Sequence, residues 1–243
     1  MTQRMYMKRT WGGALLAGLL SFLIATPYAY PEAYIGGQIG TALIGNSLTR
    51  VDLTDFSPSG SMSGRDLAGS PLLGGKVGYY FPRARWFGIE FEANYRTPHI
   101  EQQQTKITIP ASAVLKDFGP VTGGEANGTF SGDHFRVITI APLNLMFRYH
   151  KMRLQPYLGI GPGIFFSKIT TTQPGFAGSQ SSTQLGLNAK LGAEYFFTKH
   201  LTGFAEFKYN YARLNFEANN NGGFGFRATY NPLFLSFGIS YHF

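Results

Sequence analysis

Apolar and polar residues alternate over eight segments, and this alternation constrains the fold more than any other feature. Segment 233–243 carries Leu, Leu, Phe, Ile, Tyr and Phe at its odd positions, and Ser236, Gly238, Ser240 and His242 lie between them. The same period recurs in segments 34–44, 74–81, 87–96, 134–149, 153–166, 184–197 and 201–211. A period of two is that of a β-strand with two different faces. The sequence therefore predicts an all-β fold.

Charged residues in these segments avoid the apolar face, apart from Arg213 at a strand end. Ten lie on the second face: Lys76, Glu90, Glu92, Arg96, Arg136, Arg148, Lys190, Glu194, Glu206 and Lys208. A charge that faces hydrocarbon at the midplane of a membrane costs a barrel roughly 2–4 kcal/mol. The uncharged face therefore predicts strands that face lipid around a polar interior. A soluble barrel or sandwich shows the same alternation, which does not by itself say which face is wet.

Composition excludes two other classes of protein. Mean hydropathy is −0.08 and charged residues make up 14% of the chain, so the apolar residues are not gathered into the runs of about 20 that membrane helices need. The chain has no Cys, which excludes disulfide scaffolds and thiol chemistry.

Connections between the segments alternate in length. Segments 45–72, 97–133, 167–183 and 216–231 are long and polar, whereas 82–85, 150–152 and 198–200 are tight. Outer-membrane barrels have short periplasmic turns and longer outer loops. The prediction is an eight-stranded antiparallel transmembrane β-barrel, with long extracellular loops and short periplasmic turns.

The first residues resemble an export signal. Arg4, Lys8 and Arg9 precede an apolar stretch at 14–25, which has the length of the apolar region of a signal peptide and is too short to span a bilayer. We predict a signal peptide over residues 1–29, a barrel domain over 30–243 and location in the bacterial outer membrane.

The formal charge of the chain is +8. Its basic residues are scattered over the turns and the interior, and the aromatic residues point at lipid. No nucleic-acid partner is therefore expected.

Three segments resemble a known family. They are 156–161 (PYLGIG), 201–209 (LTGFAEFKY) and the alternating segment that ends at Phe243. The chain resembles the opacity-protein-like, OmpA-type family of small outer-membrane β-barrels, also called porin family proteins. The expected surroundings are outer-membrane lipid and lipopolysaccharide, and the long polar loops predict an extracellular ligand. A monomer is expected because a closed barrel has no free strand edges. The resemblance also implies that Tyr241 and Phe243 form the signal read by the barrel-assembly machinery.

No catalytic, cofactor-binding or metal-binding motif stands out. The five His residues lie far apart in the sequence, and Gly60–Gly64 is interpreted as a flexible linker. Lipid A deacylases, barrels of similar size, carry a His-x-Ser motif that would fall near Lys208, Tyr209 and Asn210, where neither residue occurs.

The interior charges admit two interpretations. Either Glu90, Glu92, Glu194 and Glu206 pair with Lys76, Arg136, Arg148, Lys190 and Lys208 in a packed plug, or the interior is a narrow channel that prefers anions. The leading hypothesis is a non-enzymatic membrane anchor whose loops serve structural integrity or adhesion. A small diffusion channel is the second hypothesis, and an enzyme acting on lipid A is the third.

Overall fold

The computed structural model describes residues 33–63, 65–116, 119–130, 133–171, 178–218 and 224–243. The predicted signal peptide, residues 1–29, lies outside these residues. Among them, no helix is long and apolar enough to cross a membrane.

Seventeen strands lie within the described residues. They are β1 (Ala33–Ile44), β2 (Ser47–Leu53), β3 (Phe56–Ser57), β4 (Gly60–Met62), β5 (Arg65–Asp66), β6 (Leu72–Phe81), β7 (Ala84–Arg96), β8 (Gln103–Ile109), β9 (Val114–Leu115), β10 (Gly119–Pro120), β11 (Gly124–Phe130), β12 (His134–Arg148), β13 (Leu154–Thr171), β14 (Gly178–Phe196), β15 (Leu201–Phe216), β16 (Phe226–Tyr230) and β17 (Leu233–His242). All pairings between them are antiparallel. The predicted all-β fold is confirmed.

Eight long strands pair in a closed cycle. In order around this ring they are β1, β6, β7, β12, β13, β14, β15 and β17, and β17 pairs back onto β1. Each strand of the ring coincides with one of the eight alternating segments, because alternation follows the two faces of one continuous strand.

The long connections form strands that the sequence analysis assigned to loops. The loop layer, defined as β2–β5, β8–β11 and β16, extends from one end of the ring. There β15 continues past the end of β17 and pairs with β16, which pairs with β2. The interpretation of Gly60–Gly64 as a flexible linker is wrong in part, since Gly60–Met62 pairs with β2 and β8. These strands are short and polar, so their alternation is too brief to identify in the sequence.

An apolar core explains why the loop layer folds. Leu48 and Leu53 of β2 and Tyr230 of β16 pack with the inward faces of the ring strands at that end, including Phe165 and Phe216. Leu48, Phe165 and Phe216 are completely buried. Burying side chains of this size contributes about 1.5–3 kcal/mol each, which offsets the cost of ordering the connections.

The ring turns its apolar side chains outward. Leu191 is 58% exposed, Ile239 is 61% exposed and Phe237 is 53% exposed, whereas Lys190 of the same strand as Leu191 is 2% exposed. A soluble barrel has the opposite arrangement, because contiguous exposed apolar surface is unfavourable in water. The outward face is therefore suited to lipid.

We predict that Leu191→Arg destabilises the protein refolded in lipid vesicles, because it places a charge in hydrocarbon. The free energy of unfolding should fall by about 2–4 kcal/mol, measured by denaturant titration. Ser179→Arg, at an exposed position near the other end of β14, is the control and should change it little. Equal effects of the two substitutions would contradict a lipid-facing Leu191.

Candidate functional site

Six charged side chains meet inside the ring. Lys76 comes from β6, Glu90 and Glu92 from β7, Lys190 from β14, and Glu206 and Lys208 from β15; none is more than 5% exposed. They occupy the inward positions of their strands, where side chains of one parity point to the interior. We call these six residues the interior network.

Ion pairs join the interior network into one chain. The Lys190 Nζ atom lies 2.5 Å from Glu90 Oε1 and also contacts Glu92. Lys208 contacts Glu92, and its Nζ lies 3.2 Å from Glu206 Oε1. The Lys76 Nζ atom is 3.2 Å from Glu206 Oε2. Three lysines thus balance three glutamates.

The Glu92–Lys208 contact crosses the interior. Strands β7 and β15 lie on opposite sides of the closed cycle, separated by β12, β13 and β14 in one direction and by β6, β1 and β17 in the other. A contact between them therefore spans the full width of the ring. The side chains fill the interior at this level.

Neutral donors complete the coordination of the carboxylates. Tyr34 Oη donates to Glu90 Oε2 at 2.6 Å, and Tyr157 Oη donates to Glu206 Oε2 at 2.7 Å. Gln38 Nε2 donates to Glu92 Oε1 at 2.5 Å. Such hydrogen bonds are needed because ion pairs removed from water are stable only when their remaining polar atoms are satisfied. The sequence analysis missed these uncharged partners, although all occupy inward positions of their strands.

Glycines provide the space for this packing. A Cβ atom at position 78 would lie 2.3 Å from Cζ of Tyr34, and one at position 159 would lie 2.8 Å from Cγ of Lys190. Both distances are too short for any real contact, so Gly78 and Gly159 allow the Tyr34 ring and the Lys190 chain to pass.

The remaining inward charges lie nearer the two ends of the ring. Glu194 Oε1 accepts from Thr202 Oγ1 at 2.5 Å and lies 3.0 Å from His242 Nε2. The Arg148 guanidinium lies 3.6 Å from the centroid of the Tyr80 ring. At the other end, Arg96 Nη2 donates to Asn46 Oδ1 at 2.5 Å and so connects β7 to the turn between β1 and β2.

The structure corrects the position of Arg136, which the sequence analysis placed in the interior. Arg136 is exposed, whereas Phe135 and Val137 on either side are buried. The register of β12 shifts between Ile140 and Leu145 against one neighbour and between Ala141 and Asn144 against the other. Such a bulge reverses which parity faces inward. The sequence does contain an indication of this bulge. Pro142 lies within the strand, and Pro inside a strand is typical of a bulge.

A buried ion pair joins β5 of the loop layer to the residue that precedes β12. Arg65 Nη1 lies 3.2 Å from Asp133 Oδ2. Burial raises the pKa of the Asp133 carboxyl, and the positive charge of Arg65 offsets part of this rise. Burial also lowers the pKa of the Arg65 guanidinium. Both directions reflect the cost of moving a charge out of water.

Two of the imidazoles lie close together. His99 and His134 face each other across strands with ring centroids 4.3 Å apart. No group of three or more His, Cys, Asp or Glu side chains suited to a metal occurs among the described residues.

Tyr241 and Phe243 lie together on the outward face. They are 46% and 57% exposed, and their rings meet edge to face with centroids 5.3 Å apart. The Phe243 backbone N–H donates to the Ala33 carbonyl at 2.9 Å, which fastens this end to β1.

We predict that Glu92→Gln lowers the free energy of unfolding by about 3–5 kcal/mol, because it leaves Lys190 and Lys208 with less compensating charge in the interior. Adding Lys208→Met should cost less than the sum of the two single substitutions. Both quantities are measured by denaturant titration in vesicles.

Glu125→Gln is the matched control. Glu125 pairs with Lys106 at 2.7 Å, but both side chains are more than half exposed, so its loss should cost at most about 1 kcal/mol. An equal cost for Glu92→Gln and Glu125→Gln would contradict the importance of the interior network.

Comparison with known proteins agrees with this architecture. Residues 14–243 match the family described as outer membrane protein beta-barrel domain. No curated protein shows significant similarity to the chain.

Solved structures with similar folds include the outer membrane protein OprG from Pseudomonas aeruginosa, with 14% identity, a TM-score of 0.51 and coverage of 88% of this chain and 97% of that chain. Neisserial surface protein A has 13% identity, a TM-score of 0.47 and coverage of 87% and 97%. The outer membrane protease OmpT from Escherichia coli has 10% identity, a TM-score of 0.45 and coverage of 91% and 100%. The family match covers nearly the whole chain, so this protein belongs to the outer-membrane β-barrel family and lies in the bacterial outer membrane.

Proposed function

We propose that the ring is an eight-stranded transmembrane barrel that is closed to solutes, and that the protein is a non-enzymatic anchor for the loop layer. The observation that carries this proposal is the Glu92–Lys208 contact across the full width of the interior. At the end of the ring next to the loop layer, Phe165 and Phe216 fill the interior with apolar side chains. Apolar side chains offer water no hydrogen-bond partners.

The loop layer is on the extracellular side in this proposal. The connections at the opposite end of the ring, at 82–83, 149–153 and 197–200, are only two to five residues long. Short turns face the periplasm in barrels of this class, and longer connections face outward. The proposed orientation follows from this asymmetry.

The loop layer is suited to binding because it is ordered. Its strands pair with one another and rest on the apolar core, so their exposed side chains keep fixed relative positions. A preorganised surface binds with a smaller loss of conformational entropy than flexible loops do. We infer that adhesion to a host surface or matrix, through this surface, is the function.

A small diffusion channel is the second candidate, and the polar interior favours it. Conduction would require Glu92 and Lys208 to separate, which exposes two charges in a narrow space that is wide enough only for its own side chains. An enzyme acting on lipid A has less support, because Lys208 and Asn210 stand where the deacylase motif has His and Ser, and both side chains point into the ring.

Tyr241 and Phe243 are the proposed contact with the barrel-assembly machinery. Both are exposed on the outward face at the end of the ring opposite the loop layer. This role remains a prediction.

We expect the refolded protein to show no steady current in planar lipid bilayers. Replacing Glu92, Lys190, Phe165 and Phe216 together with Ala should produce discrete openings, because it removes side chains that fill both the middle of the ring and its end next to the loop layer. Glu125→Gln should stay silent. Steady openings of the unaltered protein would overturn the closed-barrel proposal in favour of the channel.

We expect cells that express the protein to attach to immobilised basement-membrane extract more than vector controls do. Replacing residues 103–130, which contain β8–β11, with a short Gly-Ser linker should reduce attachment to the vector level, because four of the nine strands of the loop layer are lost. Attachment that equals the vector level for the unaltered protein, or that survives the replacement, would contradict the adhesion proposal.

Surface labelling controls for orientation and assembly. The chain has no Cys, so Ser61→Cys in β4 and Met152→Cys in a tight connection each introduce a single exposed thiol. An impermeant maleimide should label position 61 on intact cells, and position 152 only after the outer membrane is permeabilised. The reverse pattern would place the loop layer in the periplasm.

A further inference from the structure

Two positive side chains lie directly opposite each other on the outward face of the ring. Arg136 of β12 and Lys168 of β13 are register partners. Arg136 is exposed, and Lys168 is partly exposed. Like charges at opposed positions of an antiparallel pair repel each other.

No negative side chain compensates this pair in the described part of the chain. Neither cation has an ion pair or a side-chain hydrogen bond with another described residue. Two exposed cations elsewhere in the protein differ, since Lys106 pairs with Glu125 and Arg227 lies opposite Asp52. The position therefore favours an anion from outside the chain.

The pair lies at the edge of the apolar outward face. The next register pair along the two strands is Ile138–Phe166, and Ile138 also lies opposite Tyr95 of β7. Phe166 and Tyr95 are 39% and 43% exposed. In the other direction the next pair is His134–Thr170. The two cations are thus one register step beyond the side chains that suit hydrocarbon, on the side of the loop layer.

Hydroxyl groups adjoin the cations on the same face. Lys168 lies opposite Ser181 of β14, which is exposed, and Thr170 lies opposite Ser179. An Arg guanidinium, a Lys ammonium and hydroxyl donors together match the oxygens of a phosphate group, to which Arg donates in a bidentate manner.

We propose that Arg136 and Lys168, assisted by Ser181, bind the phosphate group of a phosphorylated glycolipid of the lipid A type in the outer leaflet. The acyl chains of this lipid lie against Ile138, Phe166 and Tyr95. This ligand is favoured over a soluble anion because charge and apolar surface adjoin each other at the site. The inference goes beyond the adhesion function, and it rests only on the orientation of the barrel, which the labelling experiment tests separately.

The test measures binding of lipid A to the refolded protein in detergent micelles by native mass spectrometry. The probes are diphosphorylated lipid A, chemically dephosphorylated lipid A and inorganic phosphate. The variant Arg136→Gln/Lys168→Gln should bind diphosphorylated lipid A with an affinity at least about tenfold lower, because two charge-assisted contacts are lost. The unaltered protein should bind dephosphorylated lipid A as weakly as that variant does.

Lys151→Gln/Arg153→Gln is the matched control, because it removes two exposed cations at the opposite end of the ring. It should bind diphosphorylated lipid A like the unaltered protein. A shift in electrophoretic mobility on heating confirms that each variant is folded. Equal binding by the two double variants, or equal binding of both lipid forms, would overturn the proposal. Displacement of lipid A by equimolar inorganic phosphate would also overturn it, since it would indicate a site for a free anion.

Discussion

The contact of Glu92 with two lysines from the opposite wall is the interaction on which the rest of the structure depends. Glu92 accepts from Lys190, Lys208, Gln38, Asn94 and Asn188. Apart from Asn94, which lies on the same strand, these residues belong to three other ring strands, β1, β14 and β15, so the carboxylate is compensated only when those strands are in place together. A buried charge without partners is strongly unfavourable. The interior network therefore couples closure of the ring to the formation of its ion pairs.

The interior changes character along the axis of the ring. Its middle is polar and balanced in charge, whereas the end next to the loop layer is filled by Phe135, Phe165 and Phe216. The outward face is apolar around the middle and becomes cationic at Arg136 and Lys168. Each level of the ring thus matches a different surrounding: hydrocarbon, the layer of lipid headgroups and the loop layer above them.

Alternation was sufficient to predict the eight long strands and most inward charges, because one parity rule applies along a regular strand. It failed at Arg136, where the bulge around Pro142 reverses the parity, and at Gly60–Met62, where three residues are too few for a pattern. Which residues pair within the interior network could not be predicted from the sequence either. Glu92 and Lys208 are 116 positions apart, and only the order of strands around the ring brings them together.

The apolar core between the loop layer and the interior network separates two sets of residues that differ in how far a substitution affects their neighbours. Substitution of an interior residue alters many partners at once, whereas exposed residues of β4 or β8 touch neither the network nor the lipid-facing side chains. Substitutions on the exposed surface of the loop layer can therefore accumulate with little effect on closure of the ring. The architecture allows this surface to diversify while the ring and its interior network stay the same.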